Sequence, residues 1–207
     1  METTTISLKL LVNKDTGKVL FAEAGKDFVD LLFGLLELPF GSIVALMVEH
    51  GMVPKSGSFG KIYQSVQKLG NNYLQQNQQT KDNLLRPRSA STSKHTPLLK
   101  QLAYDGHTTA SNTYYGHNDN NEGYVKDVVT YMVMDDLEVK PMSTISSVTV
   151  LNTFDVKDVG ALQEKTVEVD MGKGLELVKA SFESTTVLTD LFLPKQGSLN
   201  GASDPTT

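Results

Sequence analysis

The apolar run from Val19 to Pro39, VLFAEAGKDFVDLLFGLLELP, constrains this fold more than any other stretch. From residue 27 onward its polar or small positions recur at steps of three and four, which places them on one narrow stripe of a helix: Asp27, Asp30, Gly34 and Glu37. The other positions are large and apolar, so we predict a core helix whose only water-exposed side is this stripe. Asp27 can cap its first turn and Pro39 ends it. Two acidic residues interrupt the run, which is also shorter than the roughly 20 residues that span a bilayer, so membrane insertion is not expected.

The composition limits the compartment and the chemistry. The chain has 207 residues, enough for one domain or two small modules. It contains no cysteine, which excludes disulfides, thiolate metal sites and a cysteine nucleophile. Its start, METTTISLKL, lacks the basic segment and long apolar run of a secretory signal. These features favour a reducing compartment, most simply the cytosol, and do not distinguish cytosol from nucleus.

The net charge of -5 argues against broad nucleic-acid binding, which needs a dense positive field to displace counterions from phosphates. It does not favour an anionic membrane surface either. The expected partner is therefore a protein, with a small molecule as the alternative.

Alternating apolar residues from Ile6 to Val12 predict a strand, the turn residues 13–17 follow it, and Val19–Ala24 predicts a second strand. The opening is thus a β-hairpin that leads into the core helix. Two further helices are predicted from apolar residues at helical spacing: Ile43, Leu46 and Met47, then Phe59, Ile62, Tyr63, Val66 and Leu69. An amide-rich tract follows, and the sequence leaves open whether a helix continues from it toward Leu84 and Leu85.

The interval 86–123 is polar and has little periodicity, so we predict a linker or a long surface loop. One short docked turn is expected within it, from Leu98, Leu99 and Leu102.

Ordered structure is predicted again from residue 124. The pattern predicts a strand over 128–134, a turn at 135–136 and a return strand over 137–139. A helix is predicted from Ser143, although SVTVL also fits a strand, and VKDVGAL predicts a short helical piece. A strand carrying Val167 and Val169, a helix capped by Asp170 and a last apolar segment over 187–193 follow. The polar tail after Pro194 is predicted to be disordered.

The fold class that follows is α+β, with two similar modules of a β-hairpin plus helices at 1–85 and 124–194, the linker at 86–123, and a tail at 195–207. The apolar pattern of LLELPFGSIVALM resembles that of VLNTFDVKDVGAL, which indicates a weak internal duplication. The simpler alternative is that any two α+β modules look alike at this level.

Six sequence blocks occur in an order that resembles a plant family, the domain of unknown function 674: ISLKLLVNKDTGKVLFAEAGKDFVDLLFGLLELPFGSI, GKIYQSVQKL, LLRPRS, YMVMDDLEVKPMS, FDVKDVGALQEKTVEV and LVKASFESTTVLTDLFL. The resemblance covers most of residues 6–193. It implies a plant origin and no particular chemistry, because the family has no established activity or catalytic residues.

One departure from the family concerns metal. Its members commonly carry a cysteine-rich insert, spaced as in a zinc ribbon, between the LLRPRS-like and YMVMDDL-like blocks. Here that region is short and lacks cysteine, and Tyr114 to His117 stands where the first pair is expected. Zinc is therefore not carried over.

Asp135, Asp136 and Tyr131 are the candidates for acid–base catalysis. Two neighbouring carboxylates can act as acid and base when burial separates their pKa values. Asp is also a common turn residue, and this structural role is the simpler interpretation. No serine-nucleophile elbow, metalloprotease helix motif or dinucleotide fingerprint is present, and no cofactor is expected.

Three other motifs each have a functional and a simpler interpretation. His107 and His117, with Asp105 and Asp119, have metal-ligand chemistry, but a Gly/Asn/Ser-rich stretch favours solvated side chains. The segment GSFGK lacks the first glycine and the Ser/Thr of a phosphate loop, so it predicts a plain helix start. Ser89 and Ser91 each follow an arginine by three residues and are candidate phosphorylation sites.

Three functions are consistent with these observations. The first is a non-enzymatic interaction module that docks a protein on exposed strand edges or helix faces. The second is a small-molecule binder, or a simple acid–base enzyme, with a cleft between the modules. The third is a metal or redox role inherited from the cysteine-rich relatives, whose ligands this chain lacks.

Overall fold

The computed structural model describes residues 5–52, 58–70, 73, 77–87, 96–103, 123–127 and 129–193. The elements of the first half are β1 (Ile6–Asn13), β2 (Lys18–Ala24), α1 (Lys26–Leu35), α2 (Phe40–Glu49), α3 (Phe59–Lys68), α4 (Asn77–Leu85) and α5 (Pro97–Ala103). Those of the second half are β3 (Tyr131–Met134), β4 (Val139–Pro141), α6 (Thr144–Thr153), a 3-10 turn (Val159–Ala161), β5 (Leu162–Val169), α7 (Met171–Glu183) and α8 (Val187–Phe192).

The strands form one antiparallel sheet in the order β4-β3-β2-β1-β5. The N-terminal hairpin predicted from the sequence is confirmed, and it lies in the middle of the sheet. β2 pairs with β3 on one side, and β1 pairs with β5 on the other along its whole length, from Ile6 opposite Val169 to Asn13 opposite Leu162. The mixed α+β class is therefore confirmed, with strands from both halves in a single sheet.

Helices cover the two faces of the sheet unequally. On one face, the alternate side chains of β1 (Ile6, Leu8, Leu10 and Val12) share a core with α1, α2, α5, α7 and α8. On the other face, α6 contributes Val150 and Leu151 to a smaller cluster with Phe21 and Met132. The main core thus contains residues from both halves of the chain. The division into modules at 1–85 and 124–194 stays a prediction, and the interval predicted as a polar linker contains α5, whose three leucines are buried as expected.

The two hairpins lead to helices on opposite faces. The helix after the first hairpin, α1, packs in the main core, whereas α6 follows the second hairpin onto the smaller cluster. The match between LLELPFGSIVALM and VLNTFDVKDVGAL therefore does not correspond to equivalent positions in the sheet. In the second half, the helices that share the main core with α1 are α7, which follows β5, and α8.

Caps explain where the later helices begin. Ser143 accepts a hydrogen bond from Ser146 N, and the Ser146 hydroxyl accepts one from Ser143 N, which forms a capping box and resolves the ambiguous SVTVL segment as helix. Asp170 caps α7 as predicted, through Lys173 N at 2.8 Å. The second hairpin turns later than expected because Asp136 accepts from Glu138 N and Leu137 has a positive φ of 70°, so β4 begins only at residue 139.

The polar stripe predicted for α1 is wrong at two of its four positions. Asp27 and Glu37 are exposed, but Asp30 is 2% exposed and Gly34 is buried. A Cβ on Gly34 would overlap the Leu99 side chain of α5, so the small residue permits close packing between these helices. At the end of the predicted helix, Leu36 faces water instead of the core.

Among the described residues, no single helix is long and apolar enough to cross a membrane. The pair α1 and α2 meets the length and composition together but is bent by 104°.

Candidate functional site

The three acid–base candidates do not meet in one cleft. Tyr131 and Asp135 lie at opposite ends of β3, four residues apart, which is about 13 Å along an extended strand. The Tyr131 hydroxyl donates to the Lys126 carbonyl at 3.2 Å. Asp136 is exposed in the turn, where it accepts the Glu138 N–H at 3.0 Å. Tyr131 and Asp136 thus each have a local structural contact.

Asp135 caps a helix that is remote in sequence. One of its carboxylate oxygens accepts the Thr189 N–H at 2.7 Å and the other accepts the Thr189 hydroxyl at 2.8 Å. The Asp135 carbonyl accepts the Leu188 N–H at 3.2 Å. The Thr189 oxygen in turn accepts the Val19 N–H at 2.9 Å. Since the first N–H groups of a helix have no partner within it, the β3–β4 turn fastens the start of α8 to the sheet.

Burial raises the pKa of Asp135 above its ordinary value of 3.8, and the hydrogen bonds from Thr189 offset part of this rise. A raised carboxyl pKa is common in catalytic acids, and it is also what desolvation produces at a structural cap. Both oxygens already hold protein donors in this structure. Catalysis by Asp135, Asp136 or Tyr131 stays a prediction.

Other sequence candidates lie outside the described residues: Ser89, Ser91, His95, Asp105, His107, His117 and Asp119. Of the histidines, only His50 is described, and its Nδ1 lies 2.9 Å from the Leu46 carbonyl of its own helix. Within the described ranges, no three histidine or acidic side chains converge on a metal position.

Among the residues that the structure describes, the most buried charged cluster was not predicted from the sequence. It joins α1 to residues 123–125 through Asp30, one of whose oxygens accepts the backbone N–H groups of Tyr124 at 2.7 Å and Val125 at 3.0 Å. The other oxygen binds the ammonium of Lys26, which also donates to the Val125 carbonyl at 3.1 Å. The buried carboxylate therefore has a charged partner and two backbone donors, which satisfies its requirement for hydrogen bonds.

Gly123 and Tyr124 lie directly against the Lys26–Asp30 pair. Gly123 has a φ of +120°, and a Cβ there would overlap the Lys26 ammonium and the Asp30 carboxylate. Burial, a hydrogen bond to Glu37 and the charges of Glu37 and Asp30 together raise the pKa of Tyr124 from 10.0 to about 12. The i, i+4 spacing of Lys26 and Asp30 is the one signal that could have predicted their pair, and nothing in the local sequence indicates the segment that covers it.

A second candidate site is a group of exposed apolar side chains on α2 and α3. Phe40 at the start of α2 and Phe59 at the start of α3 stack edge to face with ring centroids 4.8 Å apart, yet they are 47% and 59% exposed. Ile62, one turn after Phe59, is 57% exposed, and Leu69 at the end of α3 is also exposed. We call these four residues the α3 surface. Gly60 and Tyr63, on an adjoining side of the helix, are buried, so α3 is fixed in place while Phe59 and Ile62 stay exposed.

Comparison with protein families identifies the chain. The model of a family described as Protein of unknown function (DUF674) matches it twice, over residues 2–106 and 98–205. The chain belongs to the DUF674 family. The resemblance read from the six sequence blocks is thereby confirmed, and the two matches, one to each half, suggest a duplication.

The DUF674 description assigns no activity. Among curated proteins and among solved structures, no match to the chain was found. The function of this DUF674 protein must therefore be argued from its own surface and core.

Proposed function

We propose that this DUF674 protein is a non-enzymatic protein-interaction module, in the cytosol or nucleus, which docks a protein partner on the α3 surface. The observation that carries the proposal is the exposed aromatic pair Phe40 and Phe59, continued by Ile62 along the same helix. Aromatic side chains are enriched at protein interfaces, where burying one removes roughly 150–250 Å² from water.

The position of the α3 surface supports docking. Gly60 and Tyr63 are buried on the inner side of α3, so the helix already has its packing partner within the fold. The outer apolar residues are therefore additional to what the core requires. Single exposed apolar side chains are ordinary on protein surfaces, but two stacked rings with an adjoining isoleucine form a patch, and patches mark interaction sites.

A second exposed apolar pair provides a matched comparison. Ile145 and Val148 lie three residues apart on α6, on the other face of the sheet, and are 80% and 52% exposed. They include no aromatic ring. Their replacement removes a similar apolar area without affecting the α3 surface.

We also propose that the two halves arose by duplication of one unit that contains a strand, a core helix and a second helix. The support is the order β2–α1–α2 in the first half and β5–α7–α8 in the second, with Gly-Lys near the start of both core helices, at Gly25-Lys26 and Gly172-Lys173. In this proposal the first half developed the additional helices α3 and α4, which present the docking side.

The test compares two double variants of the tagged full-length protein in affinity purification from plant extract. Phe59→Ser with Ile62→Ser disrupts the α3 surface, and Ile145→Ser with Val148→Ser is the control. Quantitative mass spectrometry then identifies proteins retained by the wild type and the control but lost with the α3 variant. Each such protein is purified, and its dissociation constant for the three forms is measured.

We expect at least one protein whose purified form binds the wild type and the control equally and binds the α3 variant at least about tenfold more weakly, which corresponds to about 1.4 kcal/mol. Unfolding curves and circular dichroism establish that both variants keep the fold. If no protein is retained, or if the two double variants lose the same proteins equally, the proposal is rejected.

A further inference from the structure

The charged side chains of α3 have one sign. α3 carries Lys61 and Lys68 and no acidic residue, in a chain whose net charge is -5. Both lysines are exposed, and neither forms an ion pair with any residue that the structure describes. The carboxylate of Glu49 lies near Tyr63, on the inner side of α3, and is paired with Arg86 at 2.7 Å. The outer side of α3 is therefore locally basic on an acidic protein.

The lysines have the same spacing as the apolar residues. Lys61 directly precedes Ile62, and Lys68 directly precedes Leu69, so each pair recurs after seven residues, or about 10.5 Å along a helix. Helices that pack side by side use this repeat, with apolar residues along the seam and charged residues flanking it to select the partner. Ser65 lies between the two pairs, leaving room for a large side chain from a partner.

Resting on the function proposed above, we infer that the α3 surface binds an acidic amphipathic helix of a protein partner. Its apolar side chains would pack against Phe59, Ile62 and Leu69, and its Asp or Glu residues, spaced by seven, would pair with Lys61 and Lys68. α3 has ten residues, about 15 Å of helix, which matches about three turns of the partner.

Other occupants fit these observations less well. A nucleic acid would require more than two positive charges and gains nothing from an apolar seam. A basic helix would place like charges against both lysines, which weakens association. An extended strand would present its side chains with a period of two, which does not match a seven-residue repeat.

The probe is a synthetic helical peptide of about three heptads with Leu along one seam and Glu at the two flanking positions of each heptad. Repulsion between its own glutamates keeps it from pairing with itself. A control peptide carries Lys in place of every flanking Glu. Binding of each fluorescent peptide to the full-length protein is measured by anisotropy at low and at high salt.

We expect the Glu peptide to bind at least about tenfold more tightly than the Lys peptide, with a preference that decreases as salt is added. Lys61→Glu with Lys68→Glu should reverse the preference, Ile62→Ser with Leu69→Ser should abolish binding of both peptides, and Ile145→Ser with Val148→Ser should change neither. Equal binding of the two peptides, binding of neither, or an unchanged preference in the double charge reversal overturns the inference.

The two proposals fail separately. A natural partner that depends on Phe59 and Ile62 but is unaffected by Lys61→Glu with Lys68→Glu keeps the proposed function and overturns the acidic helix. The charge reversal exchanges exposed side chains, so its fold is expected to match the wild type, and circular dichroism is the check.

Discussion

Two helices of the main core, α1 and α7, carry the same kind of ion pair near their starts, but the pair is buried in α1 and exposed in α7. Near the start of each, a lysine pairs with a carboxylate on its own helix and also donates to a carbonyl of another segment: Lys26 with Asp30 and the Val125 carbonyl at 3.1 Å, and Lys173 with Glu176 and the Leu191 carbonyl at 3.2 Å.

The difference lies in burial. The side chains of Lys26 and Asp30 are 16% and 3% exposed, whereas those of Lys173 and Glu176 are 37% and 47% exposed. Asp30 also accepts two backbone N–H groups, from residues 124 and 125. A buried charge must keep all its partners, while an exposed one can exchange them for water. We therefore expect very different consequences from removing the same chemical group at the two sites.

The largest effect is expected for Asp30→Ala. This change leaves the Lys26 ammonium without its carboxylate and removes the acceptor of two N–H groups, so we expect a loss of about 3–5 kcal/mol in the free energy of unfolding, measured by urea denaturation. Asp30→Asn keeps an acceptor oxygen and should lose less, about 1–3 kcal/mol. A loss below about 1 kcal/mol for the alanine variant would show that water replaces the carboxylate and would end the contrast with α7.

Gly123→Ala tests how closely the backbone at residue 123 packs against Lys26 and Asp30. The added methyl group would overlap the Lys26 and Asp30 side chains at a φ of +120°, so we expect a cost of about 2–4 kcal/mol. The matched control is Gly17→Ala, at a φ of +63° with no atom within 4 Å of the added Cβ, which should cost only about 1 kcal/mol. Equal losses at the two glycines would mean that only backbone conformation matters at residue 123.

In the second half, the Asp135 carboxylate of the β3–β4 turn joins distant segments. Asp135→Ala removes the cap of α8 and should cost about 1–2 kcal/mol in the free energy of unfolding. Its neighbour Asp136 is exposed and caps only the hairpin turn, so Asp136→Ala should cost about 0.5 kcal/mol. If the two alanine variants unfold at the same urea concentration, the contact with Thr189 contributes little.

The pH dependence at Asp135 has a definite sign. Because burial raises its pKa above 3.8, the folded state keeps this proton to a higher pH than the unfolded state does. Stability from this group is therefore lost as the pH rises from 3.8 through the folded pKa. The free energy of unfolding of the wild type, relative to Asp135→Asn, should decrease between pH 3.8 and neutrality. An increase would mean that the Thr189 hydrogen bonds outweigh burial.

The smallest effect is expected for the exposed ion pair of α7, between Lys173 and Glu176. Glu176→Ala should change the free energy of unfolding by less than about 0.5 kcal/mol, because its pair with Lys173 is screened by solvent. Added salt should reduce even this difference. A loss comparable to that of Asp30→Ala would show that burial is not what separates α1 from α7.

Local patterns in the sequence predicted much of the secondary structure. The alternation in β1, the caps at Ser143 and Asp170, and the leucines of α5 each depend on residues within one or two turns, and each was confirmed. The buried Asp30 could not be predicted in this way. Its partners are 94 and 95 residues away, and periodicity alone classifies an acidic residue as solvent-facing.

The same limit applies to the sheet and to the candidate site. The pairing of β1 with β5 joins residues more than 150 positions apart, and the sequence of each strand specifies only which side is apolar. Asp135 was recognised as a turn residue, but its contact with Thr189 depends on where α8 docks. Phe59 and Ile62 of the α3 surface were identified correctly as helical, and their exposure could be known only once Gly60 and Tyr63 had defined the inner side.

The central position of the N-terminal hairpin has a consequence for how this protein is made. During translation at about 5–20 residues per second, β1 leaves the ribosome roughly 8–30 s before the strand that flanks it. Until β3 follows, both outer edges of the hairpin lack their final neighbours, and the edge of β1 stays open until β5 is made, so the nascent chain offers unpaired backbone groups to other polypeptides. A prematurely terminated product that ends before β3 would keep those edges open, which makes it a substrate for chaperones and proteases rather than a stable half-protein.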